Sequence, residues 1–324
     1  MTSDDRLLIV IAGPTSVGKT SAGIKLARQF STEIISADSR QFYHEMKIGT
    51  AFPSPEQLGV VPHHFAGHLS IHDIYNVSRY ETDVIQLLEQ LFRQHRFVFL
   101  VGGSGLYINA VCHGIDLLPD PEPGVRQKLK ELLVTSGTNS LLDKLIQLDP
   151  AYACQVDPGN PARLIRALEV CITTGLPYSS LRTNKPKKRS FRIIKLGLEL
   201  PREVLNQRIS TSVDTMMHEG LVEEARDLYS FRYLNALNTV GYKELFDHFN
   251  GLITLNQTVE KIKTNTRRYA KRQMTWFRRD HDITWFNPDD VEKMVETISG
   301  GLGMISDKPV DRVLEDFPDH DVFI

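Results

Sequence analysis

Only three cysteines occur in 324 residues, Cys112, Cys154 and Cys171, and no two stand in a C-x-x-C pair. That spacing removes a disulfide framework and a cysteine-based zinc site as organising principles and leaves the three as core candidates. Long apolar runs are missing too. The longest, Leu7 to Ala12 and Phe97 to Val101, fall far short of the roughly 20 residues that span a bilayer. The opening Met1-Thr2-Ser3-Asp4-Asp5 is acidic where a signal peptide carries basic residues. A cytoplasmic protein with no membrane partner is expected, and with no sign of an obligate protein partner we expect a monomer. Neither charge sign is in excess, since 38 Lys and Arg face 40 Asp and Glu. A chain that is 41% hydrophobic and 24% charged has ordinary globular composition, which excludes a fibre or a disordered chain.

The balanced charge is unevenly spread. Between Lys261 and Arg279 stand eight Lys or Arg and no acid, and between Arg182 and Arg192 six and no acid, while Asp307 to Asp321 holds six acids against two bases. Screening acts within about 8 Å at physiological salt, so these tracts set local fields whatever the net charge.

What the chain has in abundance is the grammar of an α/β protein. Short apolar runs at Leu7 to Ala12, Glu33 to Ala37, Phe97 to Val101, Arg192 to Leu200 and Ile283 to Phe286 alternate with helical patterns, as in a doubly wound parallel sheet. Ser78 and Glu81 spell a capping box ahead of Val84, Leu87, Leu88, Leu91 and Phe92, so a helix is expected to start at Ser78. Asn160-Pro161 and Gly175 bracket another, whose Arg163 and Arg166 need not face the core. Thr254 and Gln257 open a third that runs to about Arg279. Proline-edged helical sequence between the third and fourth strands is too long for a crossover and reads as an insertion. The expected organisation is a first core segment at 1–114, a helical insertion at 115–188, a second core segment carrying the basic helix at 189–305, and an acidic tail at 306–324.

The strongest chemical signal follows the first strand. Gly13, Pro14, Thr15, Ser16, Val17, Gly18, Lys19 and Thr20 spell a complete phosphate-binding loop between a buried strand and an amphipathic helix. The glycines let backbone N–H groups wrap phosphate oxygens, Lys19 neutralises charge, Thr20 offers a hydroxyl to Mg²⁺, and the helix dipole points its positive end inward. The fold class is therefore α/β, a P-loop-type doubly wound parallel sheet with an inserted helical subdomain. Such loops in NTP hydrolysis work with an acid that ends a later strand and completes the Mg²⁺ shell. Here the third strand ends in Gly102-Gly103-Ser104-Gly105, and no D-x-x-G occurs. An acid does end the second strand, Asp38 in S-A-D-S-R-Q, where a parallel sheet presents residues to its ligand. Asp38 can accept a proton from a nucleophile or hold Mg²⁺ through water. These features also fit a nucleoside or nucleotide kinase, but a kinase gives no reason for two basic tracts.

Taken in order, G-P-T-S-V-G-K-T, S-A-D-S-R-Q, I-G-T-A from Ile48, V-P-H-H-F from Val61, G-G-S-G-L-Y from Gly102, N-P-A-R-L-I-R-A-L-E-V from Asn160, T-V-G-Y-K-E from Thr239 and N-T-R-R-Y-A-K-R-Q-M-T-W-F-R-R from Asn265 resemble the bacterial tRNA dimethylallyltransferase family over about residues 7 to 285. The resemblance implies transfer of a dimethylallyl group from dimethylallyl diphosphate to the exocyclic amine of the adenosine at tRNA position 37, beside the anticodon, in tRNAs reading codons that begin with U. It implies Mg²⁺ as cofactor and the tRNA anticodon stem-loop as partner. On this reading the loop grips a leaving diphosphate, which explains the missing hydrolytic acid.

Carried over residue by residue, Thr15 to Thr20 match the diphosphate segment and Arg208 a second cation against it. Asp38, Ser39, Arg40 and Gln41 match the segment that meets the target nucleotide, and Ser104 and Arg126 two further tRNA contacts. Arg267, Arg268, Lys271 and Arg272, at adjacent and i+4 positions, would track backbone phosphate, with Tyr269, Trp276 and Phe277 as core. Arg163 and Arg166 are expected to bind the tRNA as well. Ser212, Phe52 and His44 stand where relatives commonly carry basic residues. His63, His64, His68 and His72 tempt a zinc reading, but Pro62 and Gly67 break any helix that would align them, so a loop is expected there.

Overall fold

The computed structural model describes residues 6–120, 122–183 and 185–300, and the expected acidic tail at 306–324 lies outside them. The chain before His113 joins with the chain from Lys188 in one compact unit, and His113–Lys187 forms another.

In the first unit the apolar runs become one sheet. Its strands are β1 (Leu7–Ala12), β2 (Ile34–Ser36), β3 (His63–His64), β4 (Phe97–Gly102), β5 (Arg192–Leu198) and β6 (Ile283–Phe286), in the spatial order β3-β2-β4-β1-β5-β6. All neighbouring pairs are parallel. The whole of β1 is buried, as its unbroken Leu-Leu-Ile-Val-Ile-Ala sequence demands of a strand covered on both faces. Leu7, Ile9 and Ile11 share one face, where they pack with Leu26 of the helix Lys19–Gln29 and with Met294 and Ile298 of the helix Val291–Gly300. Leu8 and Val10, on the opposite face by the strand period, are equally buried.

β1 lies between β4 and β5, so the chain leaves it toward one side of the sheet and returns on the other. Open parallel sheets bind ligands beyond the carboxyl ends of their strands, where the order reverses in this way. The phosphate loop leaves the carboxyl end of β1, Asp38 follows β2, and the glycine run begins at the end of β4.

Three local expectations change. The helix Val77–Leu91 is capped by Asn76, whose side chain accepts from Arg79 N, and not by Ser78. Glu81 has no part in a capping box because its buried carboxylate takes Arg189 at 2.8 Å. His63–His64, expected as loop, forms the edge strand β3 against Ile34–Ile35. Its histidines do not converge: His63 Nδ1 meets Val61 O at 2.7 Å, while His64 Nε2 lies 2.5 Å from Glu33. The basic helix is Leu255–Phe277, two residues short of the expected end, and does carry the Thr254–Gln257 capping box.

The unit His113–Lys187 has its own core of Leu129, Leu141, Leu145, Tyr152, Leu164 and Leu168. Its helix Pro123–Leu148 is interrupted at Gly137, at φ 75°. The helix Pro161–Thr174 is capped by Asn160 and closed by left-handed Gly175, as its sequence spells.

Candidate active site

Positive φ at Ser16 (61°) and Gly18 (109°) turns the phosphate loop back on itself. Val17, fully buried in the sheet core, pins the turn from below. Lys19 opens the following helix and donates from Nζ to Pro14 O at 2.7 Å. Burial pushes its ammonium down to about 8, against a smaller upward pull from Asp38. Arg208, on the helix Arg202–His218, donates to Val17 O at 3.2 Å and so brings a second cation to the loop. Thr20 sits half-buried in the first turn of the helix.

Asp38 closes an Asx turn: Oδ1 accepts Arg40 N at 3.1 Å, and Oδ2 has no hydrogen-bond partner among the described residues. The turn ties down one oxygen and leaves the other available. Ser39 donates its N–H to Ser104 Oγ at 3.0 Å. Ser104 is 1% exposed, so its hydroxyl acts on the Asp38 segment through Ser39 and not at the surface. Arg40 Nη1 donates to Asn235 O and Ala236 O, and Gln41 Nε2 to Thr50 O and Ala51 O at 3.2 and 3.0 Å. The segment Asp38 to Gln41 is thereby tied to the I-G-T-A loop. That loop is held in turn by Glu224, whose carboxylate accepts the N–H groups of Lys47, Ile48 and Gly49 and the Tyr242 hydroxyl at 2.7 to 2.9 Å.

No side chain fits where the glycine run passes between these parts. A Cβ at Gly102 would lie 2.1 Å from Ala37 O, at Gly103 2.3 Å from Gln273 Nε2, and at Gly105 2.2 Å from Trp276. Gln273, which belongs to none of the site residues expected from sequence, is 1% exposed. It accepts Thr15 N at Oε1 and donates from Nε2 to Gly103 O, each at 2.9 Å. The signal that could have found it is a polar residue on the apolar stripe Ala270, Gln273, Trp276, Phe277 of an otherwise basic helix. Trp276 and Phe277 are core as expected, and Tyr269 is half-buried. Burial raises the Tyr269 hydroxyl, and the charge of Asp38 raises it further.

On the outer face of that helix, Lys261 pairs with Asp247 and Lys263 with Asp214, while Arg278 pairs with Glu199. Arg267, Arg268, Lys271 and Arg272 have no carboxylate partner among the described residues. Their charge is free for an external anion. A cleft of about 950 Å³ runs from Pro14 between this helix and β6, with Leu205, Met274, Trp285 and Phe286 as apolar wall and Arg267 and Lys271 among its basic lining.

In the unit His113–Lys187, Arg126 grips the buried Glu169 through two nitrogens. Arg166, 19% exposed, lies 3.7 Å from the same carboxylate and donates to Pro119 O, so it turns inward where the sequence left it free to face out. Arg163 is half-buried beside the Asn160 cap.

A sequence model of the IPP transferase family matches residues 41–280. The tRNA dimethylallyltransferase of Christiangramia forsetii is 52% identical over 288 residues, which cover 89% of this chain and 95% of that one. The chain belongs to the tRNA dimethylallyltransferase family. Its fold agrees: the tRNA isopentenylpyrophosphate transferase of Bacillus halodurans superposes with a TM-score of 0.68 at 36% identity, covering 92% of this chain and 97% of that one. A eukaryotic dimethylallyltransferase acting on tRNA gives a TM-score of 0.73 at 26% identity, covering 95% and 81%. The parallel sheet with its phosphate loop is therefore the tRNA dimethylallyltransferase architecture. No helix among the described residues is long and apolar enough to cross a membrane.

Proposed function

We propose that the protein is a prenyltransferase that moves the dimethylallyl group of dimethylallyl diphosphate to the exocyclic amine of adenosine 37 of tRNA, beside the anticodon. The observation that carries this reading is the convergence of a phosphate cradle bearing two cations, Lys19 and Arg208, with a carboxylate, Asp38, whose charge reaches Lys19. tRNAs reading codons that begin with U are the proposed substrates.

In the reaction the C1–O bond of the prenyl diphosphate breaks, the N6 lone pair forms the new C1–N bond, diphosphate leaves, and the N6 proton passes to Asp38. An adenine amine is a weak nucleophile, whereas an allylic carbon tolerates positive charge, so the step worth assisting is departure of the diphosphate. Loop amides, Lys19 and Arg208 are preorganised for the charge that develops there, and one such donor contributes roughly 10²- to 10³-fold in rate. The apolar wall of the neighbouring cleft suits a five-carbon chain.

Among the described residues no three His, Cys, Asp or Glu gather as a metal cluster. The donors beside the loop, the Thr20 hydroxyl and the Asp38 carboxylate, fit Mg²⁺ only if phosphate oxygens complete its shell. Thr20 would hold the ion directly and Asp38 through water, and it would neutralise the leaving diphosphate.

The target base must leave its stack to reach the site, as expected for RNA read in a loop. Arg267, Arg268, Lys271 and Arg272 then track the backbone. Ser39, Arg40 and Gln41 border the nucleotide. In the unit His113–Lys187 the part-exposed Arg126 and Arg163 are the proposed tRNA contacts, whereas Arg166, turned toward Glu169 and Pro119 O, is assigned to holding that unit together. The test is incubation with radiolabelled dimethylallyl diphosphate or γ-labelled ATP, with and without unmodified tRNA. Label from the prenyl donor appearing in tRNA, and abolished by Asp38→Ala with tRNA binding within a few-fold, supports the reading. Transfer of the ATP γ-phosphoryl instead overturns it.

A further inference from the structure

The Gln273 side chain lies between the two halves of the chemistry proposed above. On one side it accepts the Thr15 N–H of the phosphate loop, and on the other it donates to Gly103 O, both at 2.9 Å. Gly103 adjoins Ser104, which accepts from Ser39 N, and Ser39 adjoins Asp38. Ser104 N also donates to Ala37 O, so the glycine run and the Asp38 segment are joined at two points. A short chain of bonded groups thus leads from the diphosphate cradle through one side chain to the acid. We infer that Gln273 is a positioning residue for prenyl transfer, setting the distance between the diphosphate cradle and the Asp38 segment.

An amide is the group this place requires. One end must accept from an N–H and the other must donate to a carbonyl, so only one orientation of the side chain satisfies both partners. Burial makes each bond expensive to leave unmade. The site lies on a rigid element, since the same helix face inserts Trp276 against Gly105. Gln273 is two residues from Lys271 and next to Arg272, both on the outer face. The helix that offers charge to RNA on one side therefore carries the spacer of the reaction centre on the other. Reacting groups held about 1 Å out of place can lose roughly 10²-fold in rate, which is the scale on which such a spacer acts.

This inference rests on the prenyl-transfer reading, and the experiment separates the two. Single-turnover transfer from dimethylallyl diphosphate to an unmodified tRNA transcript is measured with wild-type protein, Gln273→Met and Gln273→Glu, alongside thermal unfolding and tRNA binding. Wild-type protein that transfers nothing refutes the functional reading itself. Given wild-type transfer, Gln273→Met keeps the shape but neither bond, and is expected to slow the transfer step about 10- to 100-fold with tRNA affinity nearly unchanged.

Gln273→Glu supplies the second arm. Its carboxylate can accept from Thr15 but opposes Gly103 O, whereas its protonated form can donate there as the amide does. Burial beside a diphosphate raises the pKa of such an acid, so the rate of the Gln273→Glu variant divided by that of wild type should climb as pH falls from about 8.5 to about 6. Dividing by the wild-type rate removes the pH dependence that does not involve residue 273. A merely structural role would lower the melting temperature without this pH-dependent recovery. Rates for Gln273→Met within twofold of wild type, a flat pH ratio for Gln273→Glu, or loss of cooperative folding in both variants would each overturn the inference.

Discussion

Ser39 donates its backbone N–H to Ser104 Oγ at 3.0 Å, and the Ser104 hydroxyl lies 3.2 Å from that of Ser39. A buried side chain from the end of β4 thus braces the residue beside the acid that follows β2. Removing it in Ser104→Ala leaves a buried N–H without its acceptor, a loss of about 1–3 kcal/mol. Transfer rate should fall about tenfold while affinity for dimethylallyl diphosphate stays put, since the phosphate loop is untouched. Ser104→Thr should restore the rate. Single-turnover kinetics with calorimetric binding of the donor check both.

Lys19 gives a pH signature. Its pKa of about 8 in the free protein means that the charge needed to grip a diphosphate fades as pH rises through that value. Binding an anion raises the pKa again, so donor affinity should weaken toward about tenfold per pH unit above about 8, and binding at pH 8 should take up about half a proton. Titration calorimetry in buffers of different ionisation enthalpy measures the uptake. The same shift acts on stability with a definite sign. A lysine whose pKa is lowered by folding binds fewer protons folded than unfolded between about 8 and 10.5, so its contribution improves as pH rises through that window. Lys19→Met should flatten both profiles.

The unpaired cations of the basic helix should give tRNA binding a steep salt dependence. Removing one cation that meets a phosphate makes the slope of log K against log salt shallower by about 1. Lys271→Gln or Arg268→Gln should show that change, whereas Lys261→Gln, which removes a residue already paired with Asp247, should not. Filter binding across a salt series reads it directly.

Glu224 is expected to govern the loop that holds Gln41. Glu224→Gln replaces one carboxylate oxygen with an amide nitrogen, which cannot accept from the N–H groups now satisfied there. Hydrogen exchange at Lys47, Ile48 and Gly49 should quicken, with a stability loss of about 1–3 kcal/mol. Exchange measured by mass spectrometry tests this without reference to activity.

Most of the sheet could be read from the sequence because its strands are apolar runs separated by turn residues, a local signal. β3 escaped because two histidines at a sheet edge carry no such signal. Ser78 and Glu81 spelled a plausible helix start, yet Asn76 won it, because Glu81 was needed by Arg189, a partner 108 residues away. The same limit applied at the site. Gly13 to Thr20 and Asp38 are legible because loop and strand end are contiguous in sequence. Gln273, Glu224 and Tyr242 act through bonds to residues far along the chain, 258 residues away for Gln273 and Thr15, and no spacing rule reaches that far. Arg166 could not be turned inward on paper because its partner Glu169 reads as one more polar residue on an exposed helix face, while it is 1% exposed.

The crowding around Gly102, Gly103 and Gly105 also has a practical side for redesign. With Ala37, Gln273 and Trp276 already pressed against their α-carbons, these three positions offer a protein engineer no variation that leaves the neighbours in place. Libraries meant to admit longer or branched prenyl chains should therefore hold the glycine run fixed and diversify the cleft wall at Leu205, Met274 and Trp285, where space exists to be reshaped.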